Sequence, residues 1–416
     1  MRVCVIGSGI SGLVAARGLY REHDLTVFES GDRIGGHTHT VDVESEAGSL
    51  AIDTGFIVFN ESTYPDFCAM LRDLGVSWEK SEMSFSVRCE ASGLEYNGTD
   101  MNGLFAQRSN LLRPSFWRMV KDVMRFYREA PEVLERPDDE TTLGQYLQRG
   151  GYSRLFVEKH LIPMGAAVWS STPETMLAFP LRFLVQFFHN HGFLRVDDRP
   201  TWLVVKGGSR EYVKRLVEPF RENIHTGTPV VDVQRTERGV RVRTAQGDEC
   251  FFDRVFLATH ADTSLCMLSD ATPLEREVLG AFKFQRNEVV LHTDASLMPR
   301  RPRAWASWNY HVAKQGSGLP TVTYWMNKLQ RLASEKPYLV TLNRTADIDE
   351  SKVLRSFVYH HPIFSNDTVI AQRRHAQIDG ASGIHFCGAY WRYGFHEDGV
   401  QSALASLDNL RLESPA

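Results

Sequence analysis

Cysteine is scarce in this 416-residue chain: there are six (Cys4, Cys68, Cys89, Cys250, Cys266, Cys387), and none stands in a CxxC pair. That excludes a disulfide scaffold at this length and offers no zinc spacing, so reduced, mostly buried thiols are expected. HExxH is missing as well. His189, His191, His360 and His361 therefore read as structural or surface histidines, and no metal is expected. Long apolar runs are also absent. Met1 to Ile6 is too short for a secretory core, and Met176 to Phe188 is broken by Pro180 and Arg182. Neither approaches the roughly 20 residues of a spanning helix. A cytoplasmic protein is expected, at most peripheral at the inner face of the membrane. Neither sign of charge dominates, with 47 Lys and Arg against 51 Asp and Glu, which argues against a nucleic-acid partner. No long polar tract points to disorder, and the length implies roughly two or three structural domains.

What is present begins at the second residue. Val3 to Ile6 has the pattern of a short buried parallel strand. Gly7-Ser8-Gly9-Ile10-Ser11-Gly12 follows, then a helix-spaced run from Leu13 to Tyr20, then a second strand, Leu25 to Phe28, closed by Glu29. In such a strand–loop–helix–strand unit Gly7 permits the tight turn. Gly9 lets the backbone approach a pyrophosphate, and Gly12 lets the helix pack on the strand. The helix N-terminus, with Ile10 and Ser11, offers unpaired N–H groups to phosphates, and Glu29 is placed to accept ribose hydroxyls. A dinucleotide site is the expectation.

The continuation, Glu29-Ser30-Gly31-Asp32-Arg33-Ile34-Gly35-Gly36-His37-Thr38, resembles the signature of the flavin-dependent amine oxidase superfamily. Within it the chain is similar to a bacterial branch of NAD/FAD-binding proteins. The far end agrees. Gly383 to Gly388 reads as a buried strand, and Glu397-Asp398-Gly399-Val400-Gln401-Ser402 opens a last helix, similar to the superfamily's closing motif. Asp53-Thr54-Gly55, a strand around Val231 and the Lys206-Gly207-Gly208-Ser209 return also match in type and order. One departure is Ala389, where the superfamily usually carries an acid after the strand glycine.

The resemblance implies an α/β fold: a Rossmann-like FAD-binding domain (1–55, 200–264, 371–416) and a discontinuous α+β substrate-binding domain (56–199, 265–370). It implies FAD held non-covalently, since no thiol lies between Cys266 and Cys387. The cofactor residues would be Gly7, Gly9, Ile10, Ser11, Gly12, Glu29, Ser30, Arg33 (toward a phosphate), Gly35, Gly36, His37, Thr38, Asp53, Thr54, Gly55, Val231 (toward the adenine), Gly388, Ala389, Asp398, Gly399, Val400 and Ser402. It also implies an enzyme taking hydride from a substrate C–H bond, with oxygen or a quinone as acceptor. His396 occupies the position of the superfamily's aromatic-cage tyrosine, Trp391 is among the aromatic residues before it, and Lys328 is the candidate for the lysine near flavin N5.

Three features, a replaced cage tyrosine, aromatic density and a basic helix, lean away from simple amine oxidation and toward a lipid substrate. The cage tyrosine is replaced by His396. Aromatic residues also crowd two segments: Trp169, Phe179, Phe183, Phe187, Phe188 and Phe193, then Trp305, Trp308, Tyr310, Tyr324 and Trp325. These suit a long apolar pocket or two filled cores. A lipid, fatty-acyl or isoprenoid desaturase is therefore the alternative, since carotenoid desaturases share the glycine and closing motifs. A non-catalytic flavin scaffold is a third reading. From Leu104 to Glu135 the period is helical, with Phe116, Trp117, Val120, Val123, Met124 and Tyr127 on one face and Arg113, Arg118, Lys121, Arg125 and Arg128 alongside. This basic run, like Arg300-Arg301-Pro302-Arg303, reads either as a solvated face or as a contact with anionic membrane.

Overall fold

The structure is a computed structural model and describes residues 1–46, 48–136, 140–314 and 318–413. Its N-terminal unit is β1 (Arg2–Ile6), α1 (Ile10–Leu19) and β2 (Asp24–Phe28). Val3, Cys4 and Val5 are fully buried because β1 is a central strand with neighbours on both edges. The parallel sheet runs β3 (Ile224–His225), β2, β1, β4 (Arg254–Leu257) and β5 (Ile384–Phe386). Strands from the beginning, middle and end of the chain thus share one sheet.

The last helix described, His396–Glu413, packs on α1. Glycines make that approach close: a Cβ on Gly399 would meet Ile10 and Ser11, and one on Gly18 would meet Leu407. Gly12 has the corresponding job against the sheet, since its Cβ would lie 1.9 Å from the Gly7 carbonyl oxygen.

A second, seven-stranded sheet is built from residues 85–97 and 283–363. Its strands pair antiparallel except Trp308–Val312 with Phe85–Cys89. Helices between residues 101 and 190 cover one end of it and share an aromatic core with it. Leu203–Val205 pairs with Val58–Phe59 and Trp78–Lys80, so the segment expected in the cofactor domain hydrogen-bonds to strands assigned to the other.

The expected long helix is interrupted. Turns at Arg108–Leu112 and Ala130–Glu135 flank α2 (Pro114–Glu129), and Pro114 and Pro131 explain both breaks. Its buried residues are Phe116, Met119, Asp122 and Phe126; Trp117 and Met124 face solvent, contrary to the face read from periodicity. Among the described residues no helix is long and apolar enough to cross a membrane.

Candidate functional site

One cavity of about 690 Å³ joins the two sheets. At one end lie Gly7 to Ser11, Glu29, Ser30, Arg33, Gly36 and His37. No side chain caps α1 and no acid occupies its first turn, so its N–H groups are left for an anion. The space in front of Gly9 is open, and Gly36, at φ +58°, passes so near that a Cβ would lie 2.9 Å from the Gly9 Cα. The Glu29 carboxylate accepts from the Ser8 N–H (2.9 Å), the Ser8 hydroxyl and the Gly31 N–H, which fixes it at the end of β2. Arg33 donates to the Thr38 and Gly36 carbonyls, so it also shapes the loop it was expected only to charge. These residues fit a dinucleotide: an open glycine cradle, a helix end and a fixed carboxylate.

Thr54, Gly55, Gly388 and Ala389 line the middle of the cavity. A Cβ on Gly55 would lie 2.0 Å from the His37 carbonyl oxygen, so that crossing of two chains requires glycine. His396 forms part of the wall here. Its ring stacks on Phe56 (centroids 3.5 Å apart, 12° between planes), and its Nε2 lies 2.9 Å from the Thr38 hydroxyl and 3.1 Å from that of Tyr212. Burial lowers its pKa to about 3, so the imidazole is neutral. His396 thus presents an aromatic face held by hydrogen bonds at its rear.

Beyond it the wall turns apolar and aromatic: Ile57, Val58, Met83, Ala167, Val168, Trp169, Phe187, Phe193, Trp202, Val289, Trp308, Tyr324 and Leu342. Of the expected aromatic residues, Trp169, Phe187, Phe193, Trp308 and Tyr324 reach the cavity. Phe179 and Phe188 are fully buried in the core and Phe183 packs against it, while Trp305, Tyr310 and Trp325 also lie off the wall. His191, His260, His360 and His361 stand on the wall with His37, so three of the histidines read as structural or surface belong to the site. Burial lowers His191 and His361 to about 4, and it lowers His37 and His260 too, with neighbouring histidines adding to the effect at His37. Among the described residues no group of three or more acids, histidines or cysteines is placed to hold a metal.

The remaining expected residues lie off this wall. Gly12 and Gly35 serve backbone packing, and Thr38 sits behind His396. Asp53 is fully buried; it accepts from Thr40, Ser209 and Gln330 and so ties its strand to the Gly207–Ser209 turn. Burial raises it to about 6 against those hydrogen bonds. Val231 is exposed at a bulge where it has no ladder partner. Asp398 accepts from the Phe395 N–H at 2.8 Å, Val400 is in the core, and Ser402 accepts from the Gly388 N–H. Asp398, Gly399, Val400 and Ser402 therefore build the junction of β5 with the last helix. Lys328 is a correction: it lies off the cavity, 2.5 Å from Glu82 and over the Trp325 ring. Trp391 is another, buried among Phe282, His375 and Tyr390. Sequence reading missed Ser8, Phe56, Tyr212 and His260. Only Ser8, inside the glycine loop, carried a local signal.

Comparison with known proteins agrees with this arrangement. The model of the family described as flavin containing amine oxidoreductase matches residues 10–287. Probable polyamine oxidase 4 of Arabidopsis thaliana is 32% identical over 141 residues, which are 33% of this chain; the chain spans about a quarter (26%) of that protein's length. The cyclohexylamine oxidase of Brevibacterium oxydans IH-35A superposes with a TM-score of 0.69 at 16% identity, covering 99% of each chain. A fatty acid isomerase from P. acnes, described as producing CLA, superposes at 0.68 and 14% identity, covering 100% of this chain and 99% of its own. At such identities the structural matches show a shared fold.

Proposed function

The chain belongs to the family of flavin containing amine oxidoreductases, and from that premise we propose that it uses FAD, held non-covalently, to desaturate an uncharged, apolar substrate of the fatty-acyl or isoprenoid class, a hydride leaving one carbon for the flavin and a proton leaving its neighbour for solvent as the C=C bond forms. As an oxidoreductase of that family it is an enzyme, and the scaffold alternative falls. One observation carries the substrate reading. The only charged side chains among the cavity residues are Glu29 and Arg33, both at the glycine-loop end. A diamine or polyamine entering the far end would leave water for aromatic rings and histidines, with no carboxylate on that wall, at a cost of several kcal/mol per cation. An alkyl chain gains instead, roughly 0.8 kcal/mol for each methylene buried there.

When bound, the flavin supplies a two-electron acceptor. The protein's part is orientation. α1 and Arg33 would meet the pyrophosphate and Glu29 the ribose; Val231, off the wall, is not needed for that grip. Gly55, Gly388 and Ala389 would leave room for the ring system, His396 and Phe56 form a stacked wall, and Trp169, Trp308 and Tyr324 would hold the chain to be oxidised. No cysteine lines the cavity, and the Cys387 thiol beside Gly388 is fully buried, its pKa raised by burial, which supports a non-covalent cofactor. Oxygen or a quinone would then take the electrons.

An anaerobic bleaching screen tests the reading. Long-chain acyl or isoprenoid fractions should bleach the flavin absorbance, and putrescine and cyclohexylamine should not. Bleaching by either amine with none by the lipids would replace this proposal with amine oxidation.

A further inference from the structure

The cavity makes no use of the basic surface around α2. That helix buries Phe116, Met119 and Phe126, which turns the opposite stripe outward: Trp117 (40% exposed), Lys121, Met124 (50%) and Arg128. The turn before it carries Leu111 (46% exposed) and Leu112 (87%), and residues 111–115 are all exposed. The Trp117 indole N–H is held by the Leu111 carbonyl at 2.9 Å, so the apolar residues are presented as one group.

The charges here are unbalanced. Asp122 is the only acid between residues 101 and 128; it is buried and engaged by Arg118, Arg125 and the Ser153 N–H. Arg108, Arg113 and Lys121 have no carboxylate partner among the described residues. Arg108 and Arg113 bond only to carbonyl and amide oxygens. The fold adds a second basic segment. The turn Pro302–Ala304 packs against the short helix Met101–Leu104, which brings exposed Arg303 to the same region and leaves Met101 65% exposed.

Protruding leucines, a tethered tryptophan and cations that outnumber the acids at the edges, Asp100 and the Glu129 paired with Arg128, are the composition of an interfacial surface. We propose that this face docks on an anionic lipid bilayer. Leu111, Leu112 and Trp117 enter the boundary between headgroups and acyl chains, and Arg108, Arg113, Lys121 and Arg303 meet lipid phosphates. Electrostatic attraction and apolar insertion then add, each weak alone. The inference deepens the apolar-substrate reading by giving such a substrate a source, but its test reads binding alone.

Flavin-loaded protein is floated with phosphatidylcholine vesicles and with vesicles of phosphatidylcholine mixed with phosphatidylglycerol. The protein should float with the mixed vesicles only, and added salt should release it. The double variant Arg113→Gln/Lys121→Gln should partition roughly 25-fold less, at about fivefold per cation removed. Leu112→Ser should also float less, and both variants should keep the flavin spectrum that reports an intact fold. Absence of the wild type from the mixed-vesicle fraction would overturn the proposal, as would variants that float like it. A dimer in size-exclusion chromatography that Leu112→Ser dissociates would overturn it too, by assigning the patch to a second copy. Flotation without bleaching by lipids leaves docking standing and removes the substrate reading; bleaching without flotation does the reverse.

Discussion

Asp398 is the residue where sequence motif and structure diverge most, and its replacement by asparagine separates the two. The motif suggests a cofactor contact. The structure instead buries the carboxyl at the start of the last helix, with one oxygen accepting the Phe395 N–H and Arg392 Nε 3.5 Å from the other. Burial raises its pKa from 3.8 to about 7, against the hydrogen bond and Arg392. Over that interval the folded protein keeps a proton that the unfolded chain has released, so stability falls as pH rises from about 4 to about 8. The charged form is disfavoured by about 4 kcal/mol, and the positive helix end offsets up to about 1, which leaves about 3. Asparagine can accept the same N–H and carries no charge. In urea unfolding at a series of pH values, Asp398→Asn should match the wild type near pH 4 and exceed it by about 3 kcal/mol near pH 8, with flavin retained. An asparagine variant less stable than the wild type near pH 8 would show that the ionised carboxylate is a net helix cap and refute the reasoning.

Gly36→Ala must place a side chain at φ +58° and 2.9 Å from the Gly9 Cα, so flavin titration should show at least about tenfold weaker binding; unchanged affinity would contradict the cradle. Tyr212→Phe leaves Thr38 and His396 short of a buried partner and should cost about 1–3 kcal/mol in denaturant unfolding, with the cofactor still bound. Lys328→Met should leave the rate of flavin reduction unchanged and alter stability by no more than about 1 kcal/mol, because the lysine pairs with half-exposed Glu82 away from the cavity. A large rate loss in stopped-flow measurements would return Lys328 to the chemistry.

The first strand, glycine loop, helix and second strand were legible because each is specified by neighbours in the chain, and the closing strand and helix likewise. What a local pattern does not carry is the direction a side chain takes once distant segments pack. Asp53 and Asp398 sit within motif segments, yet their carboxyls turn to backbone N–H groups and caps, because a buried acid must find donors. The Thr38–Tyr212–His396 cluster joins positions separated by 174 and 358 residues, beyond any periodicity. The histidines of the wall read as structural or surface residues because histidine is compatible with core, surface and pocket alike. In α2 the apolar period placed Trp117 and Met124 inside, while the packed face follows Phe116, Met119 and Phe126.

The most direct measurement is the absorbance of purified protein followed by acid precipitation. The two chain ends, meeting along one sheet and one helix pair, should hold a single FAD per chain that leaves the pellet for the supernatant. A colourless protein that takes up no FAD on incubation would contradict the architecture of the site; a flavin that stays with the pellet would contradict non-covalent binding.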